Sequence, residues 1–244
     1  MNAHVRFNLS RFAFGASGAS NELWTGSVRL AGSEPPDEFR LVKWHLFARA
    51  RANPPPAPRN AQVILVTSAR PNEGKTYVAR NLVASLALDG HSEVTLIDAN
   101  FNNPGLPSAS LMGSYHKGLL DVLAGDHVDV KSAFLDSNRP NVHLLPGGKP
   151  RSNVSEMLNS DRMHNLLRQL TSGGAENFVV IDAGAVLANS EAALLAQYCG
   201  HILFVAAESQ TRKPDIESSL QLLDQLAWPI DGDGFSFIFN KLPA

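Results

Sequence analysis

The stretch VILVTSARPNEGKTYVARNL, residues 63–82, constrains the fold more tightly than any other part of the chain. Its apolar opening, rich in Val, Ile and Leu, reads as a buried strand. The strand gives way to a polar loop, Ala69-Arg70-Pro71-Asn72-Glu73-Gly74, and Lys75-Thr76-Tyr77 opens a helical pattern. A tight loop between strand and helix aims successive backbone N–H groups inward, with the positive end of the helix behind them. Gly74 permits close backbone approach, Lys75 is placed to reach β- and γ-phosphates, and the Thr76 hydroxyl is placed to ligate Mg²⁺. Residues Arg70 through Tyr77 are therefore expected to hold a nucleotide, ATP or ADP.

The remainder repeats the strand-then-helix theme. Apolar runs at 62–67, 94–98, 142–145, 177–182, 201–206 and 235–239 read as buried strands. Helical stretches fall near 75–89, 117–124, 154–171, 189–198 and 211–226. This alternation implies an α/β fold, a mainly parallel sheet flanked by helices on both faces. Ligands of such folds gather beyond the carboxyl ends of the strands. Two of those ends carry carboxylates, VTLIDAN at Asp98 and FVVIDAG at Asp182. An acid in that position can touch a divalent cation or orient its waters, so Thr76, Asp98 and Asp182 form the candidate metal set. Lys75, Asp98 and Asp182 form the candidate catalytic set.

At 244 residues the chain has room for one substantial core and an extension. The near balance of 21 basic and 23 acidic residues argues against a nucleic-acid partner. No run of about 18 apolar residues appears, so no membrane span is expected. The single cysteine, Cys199, excludes an internal disulfide and fits a reducing cytosol. Residues 1–36 are rich in Gly, Ser, Ala and Pro and read as a flexible extension. Residues 37–60 comprise a helix and the Pro-rich connector NPPPAPRN, and 61–244 form the nucleotide-binding domain.

Taken in order, these segments resemble the bacterial tyrosine kinases, relatives of the MinD and ParA ATPases, over about residues 34–242. A-x-x-x-x-G-K-T is similar to the family's Walker A, with Asn72 standing where a glycine is common. LIDAN resembles its A′ motif and FVVID its Walker B. GLLDVLAGD at 118–126 and LLPGGKPRSNVSEML at 144–158 are similar to two further family segments. The resemblance implies a P-loop NTPase fold, Mg·ATP-dependent transfer to tyrosine, and a role in capsule or exopolysaccharide synthesis and export. It also implies a cytoplasmic protein working beside a separate inner-membrane polysaccharide copolymerase. Asn240, in FIFNKL, falls where relatives set an Asn against adenine, although an ordinary strand-end cap is the alternative. DEFRLVK resembles the segment through which relatives form rings, which would make Asp37, Arg40 and Lys43 a self-assembly face rather than a solvated charge face.

Several residues depart from the family pattern. The A′ motif usually carries a second Asp and a basic residue, but here it reads Asp98-Ala-Asn100-Phe-Asn102-Asn103-Pro104. An amide cannot serve as a general base near neutral pH and brings no charge to a cation. Of the tyrosines Tyr77, Tyr115 and Tyr198, only Tyr115 sits in a plausible acceptor loop. Arg70 takes the place of a signature lysine of MinD-like ATPases and could act as an arginine finger. Three readings follow: a tyrosine kinase, a weakened ATPase or pseudokinase switch, and a MinD/ParA-like spatial ATPase.

Overall fold

The computed structural model describes residues 12–15, 35–52, 59–106, 116–125, 128–174, 176–208, 210–225 and 234–241. Seven strands form one sheet in the order β1-β7-β6-β2-β5-β3-β4, and every neighbouring pair is parallel. They are β1 (Phe12–Gly15), β2 (Asn60–Ser68), β3 (Val94–Ala99), β4 (Val142–Leu145), β5 (Phe178–Ala185), β6 (Cys199–Ala207) and β7 (Phe235–Lys241). The helices are α1 (Glu38–Ala52), α2 (Lys75–Leu86), α3 (Leu119–Ala124), α4 (Val154–Leu158), α5 (Asp161–Thr171), α6 (Glu191–Ala196) and α7 (Lys213–Gln225).

Alternation along β2 shows why the sheet needs a layer on each side. Val63 and Leu65 join one core with residues of α3 to α7, whereas Ile64 and Val66 join another with α1 and α2. Successive side chains of a strand point to opposite faces, so a run apolar at every position must be covered twice. All strands being parallel, their carboxyl ends share one edge, and the loops that follow β2, β3 and β5 meet there.

The sequence reading needs four corrections. Within the extension read as flexible, Phe12–Gly15 is an edge strand pairing with Ile238–Lys241 of β7. Its alternating Phe residues carry a strand pattern too short to register against the polar surroundings; the rest of 1–34 lies outside the described residues, as do 53–58 of the connector. The helix expected over 154–171 is two helices, because Ser160 caps the second by accepting from the Met163 N–H at 3.4 Å. The helix begun at Lys75 closes in a 3₁₀ turn, Ala87–Asp89, ended by Gly90 at φ 69°.

The fourth concerns Asp37, Arg40 and Lys43. Asp37 and Arg40 are exposed and paired at 3.4 Å, but Lys43 is only 5% exposed and donates to Asp89 Oδ2 at 2.6 Å. A three-residue repeat falls short of a helical turn by about 60° per step. The third member thus rotates onto the buried stripe of Phe39, Val42, Leu46 and Phe47.

Candidate nucleotide site

The loop after β2 is shaped by two left-handed residues, Asn72 at φ 64° and Gly74 at φ 91°. Asparagine tolerates that region better than other side-chain-bearing residues, which explains how it replaces a glycine here. Pro71 and Asn72 are exposed at the loop tip, while Lys75 opens α2 and is buried. Lys75 Nζ donates to Ser68 Oγ at 3.1 Å and to the Arg70 carbonyl at 3.4 Å. Burial pushes its ammonium pKa down, against the opposing charges of Asp182 and Glu73.

Asp98 and Asp182 are direct partners in the β3–β5 register, buried at the carboxyl edge. Thr76 Oγ1 donates to Asp182 Oδ2 at 2.6 Å, bringing helix and strand together. Asp98 accepts from the Asn100 N–H at 3.1 Å and the Leu106 N–H at 2.6 Å, so the loop that follows β3 orients it. Desolvation, then the neighbouring Asp182, pushes the Asp98 pKa up to about 7. Desolvation raises Asp182 to about 6, against the Thr76 hydrogen bond and the charges of Lys75 and Arg80.

A magnesium ion fits this set. Asp182 Oδ1 is buried with no hydrogen-bond partner, an acceptor whose burial costs about 1–3 kcal/mol until something satisfies it. No group of three or more His, Cys, Asp or Glu that could hold a metal ion occurs among the described residues. Two carboxylates and a hydroxyl make a sparse set, suited to a cation that keeps waters and arrives with phosphate.

Arg80 and Gly105 were missed by sequence reasoning. Arg80 lies one turn beyond Thr76 on α2, and its Nη2 donates to the Gly105 carbonyl. A Cβ at Gly105 would stand 2.6 Å from Thr76 Cγ2 and 2.9 Å from Asp182 Oδ2, so a bare backbone closes over the carboxylate. The i, i+4 spacing from Thr76 was the available signal for Arg80; Gly105 left none beyond its place after Pro104.

Two of the residues expected to hold nucleotide, Arg70 in the loop and Tyr77 on α2, are engaged elsewhere. The Arg70 N–H donates to Glu73 Oε2 at 2.7 Å, and its guanidinium grips Asp215 of α7 at 2.7 and 2.8 Å. The N–H is thus spent within the loop, and the guanidinium is turned toward Asp215 by two of its nitrogens rather than toward the phosphate side of the loop. Tyr77 packs half-buried against the α1–α2 core rather than facing the site, since the helix turns it away from the loop. Asn240 is buried beside Gly74 and donates from Nδ2 to the Glu73 carbonyl at 3.2 Å, leaving Oδ1 buried without a partner. Tyr198 spends its hydroxyl on the Leu158 carbonyl at 2.8 Å, and Tyr115 lies outside the described residues.

The two further motif segments brace the site from one side. Gly118 packs against Pro146 and Gly148 closely enough to exclude a Cβ. Asp121 accepts from the Gly118 N–H at 3.0 Å, the Lys149 N–H at 3.2 Å and Arg151 at 3.2 Å. Gly147 in turn packs on Phe101 of the loop after β3.

Fold and loop together define a P-loop NTPase-type domain. No protein-family model matches the chain. It is 31% identical over 179 residues to the tyrosine-protein kinase wzc of Salmonella typhimurium, covering 73% of this chain and 24% of that protein. It is 27% identical to the tyrosine-protein kinase CpsD of Streptococcus pneumoniae over 74% of this chain and 76% of that one. The kinase domain of the Escherichia coli tyrosine kinase ETK superposes with TM-score 0.62 at 26% identity, over 75% of this chain and 69% of that chain. Over about three quarters of its length the chain is similar to bacterial tyrosine kinases, and it spans about a quarter of the length of its Salmonella relative. No helix among the described residues is long and apolar enough to cross a membrane.

Proposed function

We propose that the protein binds Mg·ATP on the 70–76 loop and transfers the γ-phosphoryl group to a tyrosine hydroxyl. The reading rests on one contact above all, Thr76 Oγ1 to Asp182 Oδ2 at 2.6 Å, with Asp98 alongside in register. Magnesium would be held by Thr76, Asp182 and Asp98, and when bound it neutralises phosphate charge. Lys75 and the loop amides position the β- and γ-phosphates. Asn240 Oδ1 is available to a base amino group. Asp98 would orient the waters of the cation, and the tyrosine proton would pass to solvent as its oxygen attacks phosphorus and ADP leaves. Gly105 and Arg80 cover the carboxylates against water.

Cytoplasmic action on capsule or exopolysaccharide synthesis, through a separate inner-membrane copolymerase, is the corresponding biological reading. Self-assembly would use Asp37 and Arg40, beside the exposed Leu41 and Trp44 of α1. Arg40→Ala should lower the mass seen by light scattering; equal masses would remove that face from consideration.

Asn100, in place of a second acid, supports the alternative of a weakened ATPase switch. Radiolabelled Mg·ATP separates the two, given to the protein alone and with the cytosolic piece of its membrane partner. Label on tyrosine that disappears in Lys75→Met supports transfer, whereas phosphate release without protein labelling supports the switch. Absence of both label and phosphate release would refute the two together.

A further inference from the structure

Glu73 is an unexpected residue to find buried inside a loop built for phosphate. It is 2% exposed. One carboxylate oxygen accepts from the Arg70 N–H at 2.7 Å, and the other accepts from the Thr211 hydroxyl. Thr211 Oγ1 itself accepts from the Ala207 N–H at 2.7 Å, at the end of β6. The Glu73 carbonyl accepts from Asn240 at the end of β7, and Arg70 is held by Asp215 of α7. The loop is thus fastened to β6, β7 and α7 before any ligand arrives. With two donors aimed at it, the side chain acts as an acceptor-only carboxylate. Its charge also reaches Lys75, helping to keep the buried ammonium protonated.

We propose that Glu73 sets nucleotide affinity from within the loop. It braces the loop against the β6–α7 connection, and its fixed negative charge beside the phosphate-binding amides holds affinity below what the loop geometry alone would give, so that a nucleoside diphosphate leaves. This rests on the nucleotide reading above and adds a positioning and affinity-setting residue to it.

Brace and charge can be separated chemically. A glutamine at 73 keeps both contacts, one of them reversed: its oxygen accepts from the Arg70 N–H, and its amide donates to Thr211 Oγ1, which has a second lone pair beside the one facing Ala207. The charge is lost, and the Thr211 hydroxyl proton gives up its acceptor while the brace stays in place. An alanine loses brace and charge together, leaving the Arg70 N–H and Thr211 without their acceptor.

Titration calorimetry with ADP and Mg²⁺ on the full chain, alongside thermal melting, tests the idea. Glu73→Gln should bind ADP at least fivefold tighter than wild type and melt within a few degrees of it, as expected for removing a like charge from the loop that carries the phosphate-binding amides. Glu73→Ala should bind at least fivefold weaker. Opposite signs are the signature, since a merely structural role would weaken binding in both variants. Equal or weaker binding by Glu73→Gln, with wild type still binding, overturns this inference and leaves the nucleotide reading intact. No heat from wild type with either ADP or ATP overturns both.

Discussion

Replacing Asp98 with Asn should stabilise the free protein while disabling its site. Asp98 has an ordinary pKa of 3.8 in the unfolded chain and about 7 in the fold, because desolvation and Asp182 disfavour its charge. Between those values the native state binds more protons than the unfolded chain. Stability therefore falls as pH rises through that window, and the penalty is complete above pH 7. The distance from 3.8 to about 7 corresponds to about 4 kcal/mol. An asparagine never ionises, but its amide must face either the Leu106 or the Asn100 N–H, which costs about 1–2 kcal/mol. The net gain at pH 8 is about 2 kcal/mol, or about 5 °C in melting temperature for a chain of this size. Calorimetric melts in EDTA should show that gain at pH 8 and its disappearance at pH 5, where the wild-type carboxyl is also neutral. Adding Mg·ADP should raise the wild-type melting temperature and leave that of Asp98→Asn unmoved. A variant that melts below wild type at pH 8, or by a margin independent of pH, would refute the reasoning.

His201 should make the protein acid-sensitive. It is buried against His45 and Arg49, and burial holds its pKa well below 6.5, so stability should fall below that pH by up to about 1.4 kcal/mol per pH unit. Measured against wild type at each pH, the urea midpoint of His201→Gln should gain as pH drops from 7.5 to 5.5, Asp98 and Asp182 contributing equally to both proteins. Asn72, at φ 64°, should accept Gly with little change, whereas Val should cost about 2 kcal/mol in chemical denaturation. Asp89→Ala should destabilise by about 2 kcal/mol because it strands the buried Lys43 ammonium, while Lys43→Met should be close to neutral by the same measurement.

The strand ends were legible because an Asp that terminates an unbroken apolar run has few places to go but the sheet edge. Asp98 and Asp182 accordingly meet in register. Lys75 and Thr76 were legible from a local motif. The fates of Arg70 and Glu73 were not, because their partners Asp215 and Thr211 lie 145 and 138 residues away in sequence. No spacing rule links a loop to a helix that distant. Lys43 misled for the opposite reason: a local charge pattern hid a small angular drift that the helix converts into burial.

The parallel sheet also dictates the order in which the molecule can be completed. The strand feeding the phosphate loop is second in the chain, yet its neighbours are β5 and β6, drawn from residues 178–207. Four of the six links across the sheet join strands that are not consecutive in the chain, a topology that folds slowly. During synthesis, the loop that meets nucleotide earliest in sequence must wait for the carboxyl-terminal third to emerge. A ribosome-bound fragment ending before β6 would carry the phosphate-binding sequence but lack one wall of the strand that holds it.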